Sequence, residues 1–149
     1  MNKIKITLLA AAGIALPALV LLGFSDRSGG EPWTAEQLMP PAELAQAIKD
    51  GKAGDIHIFN IGPAGTIQGA LDIGEGRDPA HIATLKAKLA ELATEGEVVV
   101  YCGCCPFKNC PNIRPAFSLF HEMGFTHAHL LDLRENLKVD WIDKGYPMQ

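Results

Sequence analysis

Glu97-Val-Val-Val-Tyr101 places three consecutive β-branched residues in one short run and offers no polar face to solvent. A strand of that kind has to be covered on both sides, which is the condition of a parallel sheet held between two layers of helices. The run Ile56 to Ile61 (Ile-His-Ile-Phe-Asn-Ile) reads as a second buried strand, and His127 to Leu131 as a further strand. Helical spacing recurs between them. Pro41 to Lys49 puts Leu44 and Ile48 on one face and closes at Asp50-Gly51. Asp78 and Pro79 supply an N-cap and a first-turn proline for a helix on which Ile82, Leu85, Leu89 and Leu92 repeat until Gly96. Pro115 opens a further helix with Phe117, Phe120 and Met123 on one stripe and Gly124 as its stop; Val139 to Lys144 forms a last helical turn before Gly145. Strands alternating with helices predict the α/β class, with a parallel sheet and helices on both faces. Trp33 and Trp141 read as packing residues at the domain's edges, and Phe117 and Phe120 as core.

The first thirty residues stand apart. Lys3 and Lys5 precede an uncharged run from Ile6 to Phe24, and a polar stretch follows from Ser25. Residues 1–24 therefore read as a signal peptide or membrane anchor, residues 25–32 as a linker and residues 33–149 as one domain. The basic flank leaves the N-terminus in the cytoplasm and exports the rest to the periplasm or the extracytoplasmic face of the inner membrane. An uncleaved anchor, tethering the chain through residues 6–24, is favoured because Leu21-Leu22-Gly23-Phe24-Ser25 lacks a small-x-small cleavage site. Seventeen acidic side chains against thirteen basic ones give a net charge of −4, and only one of the acids, Asp26, lies in the first thirty residues. The domain is thus acidic, and nucleic acid is excluded as a partner on electrostatic grounds.

In parallel sheets ligands bind beyond the carboxyl ends of the strands. Just there, after Tyr101, lie all four cysteines of the chain: Cys102-Gly-Cys104-Cys105-Pro-Phe-Lys108-Asn-Cys110. Cys102 ends a buried strand, and the loop leads to a helix whose N-terminal amides favour an anion, a setting that makes a thiol easy to ionise and nucleophilic. Lys108 and Arg114 add positive charge nearby. Two other readings stay open. The cysteines could pair as structural disulfides, Cys105 with Cys110 closing a small ring, although stapling bridges usually join distant segments. They could also hold zinc or cuprous copper, although C-x-C-C-x-x-x-x-C is not the paired C-x-x-C pattern of structural zinc sites. His127 and His129 alternate on a strand and His121 lies in the preceding helix; solvent exposure explains them better than ligation.

The order of these elements resembles a single-domain rhodanese, the sulfurtransferase fold that carries a persulfide on one cysteine, over about residues 33–149. Gly65-Thr-Ile-Gln-Gly-Ala70 is similar to the family's G-H-I-P-G-A stretch, and Val98-Val-Val-Tyr-Cys102 to its strand and nucleophile. Met123-Gly-Phe125 and Trp141-Ile-Asp-Lys-Gly-Tyr-Pro147 are similar to its L-G-F and W-x-x-x-G-Y-P. The departures are specific. Asn60-Ile61-Gly62 stands where the family usually has Asp-x-Arg, which removes a supporting ion pair, and Thr66 stands where it has His. The family's active loop is typically C-x-x-x-x-R-[ST]; here the sixth position is Phe107, and the first arginine, Arg114, comes twelve residues after Cys102. The loop is lengthened and cysteine-rich, and Pro106, Pro111 and Pro115 remove three amide donors from it.

The resemblance implies a sulfurtransferase or persulfide carrier, hence an enzyme. Sulfur would be held on Cys102 and moved from a thiosulfate-like anionic donor to a thiol acceptor, with no cofactor and no metal. Arg114 and Lys108 would steer the donor, and Cys104, Cys105 and Cys110 are auxiliary thiols for relay or resolution. The alternative is a non-enzymatic thiol module that binds copper or zinc or senses redox state. A third reading is a catalytically silent domain that only binds a partner.

Overall fold

The structure, a computed structural model, describes residues 31–149. Its elements are β1 (Leu38–Met39), α1 (Pro41–Lys49), β2 (Ile56–Asn60), β3 (Leu71–Asp72), α2 (Pro79–Leu89), β4 (Glu97–Tyr101), α3 (Ile113–Glu122), β5 (His127–Leu131) and α4 (Leu137–Asp140). The strands form one sheet in the order β1-β5-β4-β2-β3, every pair parallel. The expected α/β class and helix-covered parallel sheet are therefore present. Residues 1–30, with the targeting segment and most of the linker, lie outside the described residues. Among the described residues no helix is long and apolar enough to cross a membrane.

The central strand shows why the pattern dictates this architecture. Val98 and Val100 of β4 pack with Phe59, Leu130 and, from α2 and α3, Leu85, Leu89, Phe117 and Phe120. The alternate residues Val99 and Tyr101 pack on the other side with Ile58, Leu131, Leu44 of α1, Leu137 of α4 and Trp141. Successive strand side chains point to opposite faces, so an uninterrupted apolar run requires two cores. Each large side chain so buried contributes about 1.5–3 kcal/mol. Trp33 and Trp141 are both buried. Trp33 belongs to the first core, edge-on to Phe107 and Phe117 at 5.8 and 5.7 Å.

Four local differences separate this fold from the expected one. The edge strands β1 and β3 are two residues each, too short to show a period. Helix α3 begins at Ile113 rather than at Pro115, because a proline is tolerated anywhere in a first turn whose N–H groups have no helical partner. Helix α2 ends at Leu89, and Leu92 lies in a following turn, its N–H bonded to Leu89 O at 3.0 Å, while still packing on the core. The final turn is split: Asn136 caps α4 by accepting from Val139 N at 3.0 Å, and Trp141 (φ −131°, ψ −62°) then breaks the chain into a separate 3-10 turn, Ile142–Lys144.

Candidate active site

Strand β4 delivers Cys102 to the carboxyl edge of the sheet. The preceding Tyr101 is fully buried, and its hydroxyl accepts from Ile67 N at 2.9 Å and donates to Gly65 O at 3.2 Å. This bond fixes the Gly65-to-Ala70 stretch beside the strand end. Burial raises the Tyr101 pKa well above the ordinary phenol range, so the hydroxyl stays protonated and keeps donating. Gly103 then turns the chain with φ +74°; a Cβ there would stand 2.7 Å from Leu137 Cβ and 3.1 Å from Ala64 Cβ. Its carbonyl accepts from Leu137 N at 2.9 Å, which ties the loop to α4.

The neighbouring strand end makes room for the sulfur. Buried Asn60 accepts from Gly62 N at 3.2 Å and donates to Ala64 O at 3.2 Å and to Asp72 Oδ1 at 3.4 Å, closing a tight turn. That turn presses Gly62 onto Cys102: a Cβ on Gly62 would overlap Cys102 Sγ and come within 2.9 Å of its Cα. Asn60-Ile61-Gly62 thus forms a hydrogen-bonded turn with an empty side-chain position against the sulfur.

The lengthened loop is packed, not open. A 3-10 turn at Phe107–Asn109 directs Phe107 into the core against Trp33, and Cys110, whose N–H bonds to Phe107 O at 3.1 Å, is 1% exposed. Cys104 is exposed and Cys105 half-buried. The result is a convergence of thiols. Cys102 Sγ lies 3.2 Å from Cys104 Sγ, and the sulfurs of Cys102, Cys104 and Cys110 all fall within 4.8 Å of one another. Cys105 Sγ is 3.4 Å from Cys104 Sγ but lies outside that group of three.

Sequence reasoning missed Asn112. It stands at the N-terminal boundary of α3, but its side chain caps nothing in the helix. It is 2% exposed; its Nδ2 donates to Cys102 Sγ at 3.3 Å, and its Oδ1 accepts from Arg77 N at 3.0 Å. Its position between Cys110-Pro111 and the helix was the only signal in the sequence.

These donors decide the charge of Cys102. Donation from the Cys110 thiol brings its pKa down to about 5 against the opposing effect of burial; the Asn112 amide, the Cys104 backbone N–H and the Cys104 thiol lower it further. Cys110 is correspondingly raised, first by donating to Cys102 and then by burial. Burial and its two sulfur neighbours push Cys104 up to about 12. At neutral pH the cluster is one thiolate solvated by thiols and amides, which stand in for the amides the three prolines remove.

Lys108 and Arg114 are exposed and lie off the sulfurs. The Arg114 guanidinium stacks over Trp33 at 5.2 Å and donates to Lys108 O at 3.3 Å. The histidines have other partners: His121 Nε2 is 2.9 Å from Pro32 O, and His129 Nε2 is 3.8 Å from Glu97 Oε1.

No family model matches the chain, and no curated protein does. Solved structures do. The rhodanese-like domain of an Anabaena protein superposes with a TM-score of 0.54 at 18% identity, covering 76% of this chain and 78% of that one. A rhodanese-related protein of Thermoplasma volcanium gives 0.47 at 19% identity, covering 76% of this chain and 97% of its own. With the parallel sheet, the Anabaena match establishes that this chain has the rhodanese-like fold.

Proposed function

We propose that this chain is an exported, rhodanese-like sulfurtransferase or persulfide carrier whose sulfur rides on Cys102. The supporting observation is the Cys102 sulfur itself, placed at the carboxyl end of β4 and receiving the Asn112 amide at 3.3 Å beside two further thiols. The Cys102 thiolate attacks the outer sulfur of a thiosulfate-like donor, the S–S bond of the donor breaks, and sulfite leaves with the bonding pair. Cys102 is left as a persulfide anion, held by the donors that held the thiolate. An acceptor thiolate then takes the outer sulfur and returns Cys102 to its starting state. Cys104, exposed and 3.2 Å away, is the first relay, while buried Cys110 serves as proton donor. Lys108 and Arg114 act at a distance, raising the local concentration of an anionic donor. The basic flank and apolar run of residues 1–24 support export and tethering at the outer face of the inner membrane.

Intact mass spectrometry of the reduced, metal-free chain after incubation with thiosulfate tests this reading. The expected result is a gain of one sulfur that cyanide removes and that Cys102→Ser abolishes. Absence of sulfur uptake by the wild type, or uptake unchanged in Cys102→Ser, would sink it.

A further inference from the structure

Sulfur transfer needs one thiol and an acceptor, yet three sulfurs converge on one point. Cys102 and Cys110 are buried at 2% and 1% exposure and are fixed by the core, while Cys104 closes the group from the solvent side. Three sulfurs bound to one ion at about 2.3 Å in a trigonal plane stand about 4.0 Å apart. The observed set, with 3.2 Å for Cys102 to Cys104 and all pairs within 4.8 Å, brackets that spacing. The Cys102–Cys104 pair has to open to reach it, and its member Cys104 is the exposed one.

The donor set also limits the ion. Structural zinc takes four ligands in a tetrahedron. The fourth thiol, Cys105, flanks Cys104 without joining the group, and among the described residues no imidazole or carboxylate completes it. Oxygen-seeking cations are excluded by an all-sulfur shell, whereas soft thiolates favour a monovalent soft ion. We infer that Cys102, Cys104 and Cys110 form a three-coordinate site for cuprous ion. Cys102 ligates as the thiolate it already is, Cys104 and Cys110 each give one proton to solvent on ligating, no electron is transferred, and the ion enters and leaves past exposed Cys104 by exchange with another thiol ligand. Occupancy takes the lone pair Cys102 would use as a nucleophile, so metal and persulfide exclude each other.

The test uses the reduced full-length chain without any sulfur donor, titrated with cuprous ion against a coloured cuprous chelator, with thiol alkylation read by mass spectrometry. The expected result is one ion per chain, three sulfur scatterers in X-ray absorption, and protection of three thiols while Cys105 remains alkylated. Cys104→Ser, at an exposed position that does not threaten the fold, should weaken binding at least tenfold, and Cys105→Ser should leave it unchanged. Four sulfur ligands, protection of Cys105, or equal losses in the two variants would overturn the site. A chain that takes up sulfur on Cys102 but binds no cuprous ion would refute this inference alone and leave the proposed function standing.

Discussion

Gly62 and Cys102 meet across the carboxyl end of the sheet, and the side chain that Gly62 lacks is the space that the Cys102 sulfur fills. The contact depends on Asn60, whose side chain closes the turn through Gly62 N and Ala64 O.

Gly62→Ala should therefore displace the Cys102 sulfur. Its Cβ meets backbone as well as sulfur, so local overpacking of about 1–3 kcal/mol is expected. Chemical denaturation should show that loss, together with slower alkylation of Cys102 at pH 6. An unchanged alkylation rate in a folded variant would mean the contact does not position the sulfur.

Asn112→Ala removes the amide donated to Cys102 and the acceptor for Arg77 N. A hydrogen bond to a charged group is worth about 1.5–3 kcal/mol, which corresponds to roughly one to two pKa units on the thiol. The pH profile of Cys102 alkylation should shift upward by about that much. A profile that stays in place while stability falls would assign Asn112 a structural role only.

The acidic thiol predicts two pH effects. Cys102, lowered from 9.0 to about 5, should alkylate at a constant rate near neutrality, and the rate should fall about tenfold per unit below pH 5. Between pH 5 and 9 the unfolded chain holds a proton on this thiol that the native chain lacks, so its contribution to stability grows with pH across that window and is lost as pH falls through about 5. Cys104 and Cys110 are raised and act in the opposite sense, favouring the fold below about pH 9 and weakening it as they are forced to ionise above. Under reducing conditions the difference in unfolding free energy between wild type and Cys102→Ser should widen from pH 5 to 9. A flat difference would contradict a native thiolate.

Arg114 stacks on Trp33 and donates to the Lys108 carbonyl, and Lys108 is exposed beside it. The double variant Lys108→Ala, Arg114→Ala should raise KM for thiosulfate several-fold with kcat little changed. The effect should shrink with added salt, since exposed charges are screened beyond about 8 Å at physiological ionic strength. Loss of the cation–π contact should cost about 0.5–1 kcal/mol in stability. A fall in kcat at constant KM would place one of these groups at the reacting sulfur.

The sequence by itself determined the architecture around β4 and the place of the candidate site. An apolar run without a polar face requires two covered sides, and Asp78 with Pro79 starts α2 as written, the aspartate accepting from Ala80 N at 2.8 Å. These are local rules of period and capping, so they are legible in one dimension. Strands β1 and β3 were not, because two residues define no period and only pairing with β5 and β2 makes them strands. The candidate site divides in the same way. Cys102 at a strand end was legible, but the roles of Gly62, Asn112 and Cys110 were not, since they join across breaks of 40, 10 and 8 residues that only the packed sheet brings within reach of one sulfur. Tertiary structure alone decided that the long loop folds inward on Phe107 and Cys110, that Arg114 turns to Trp33, and that three of the four thiols share one centre. Burial and the direction of a side chain are properties of the packed whole, and spacing along the chain does not encode them.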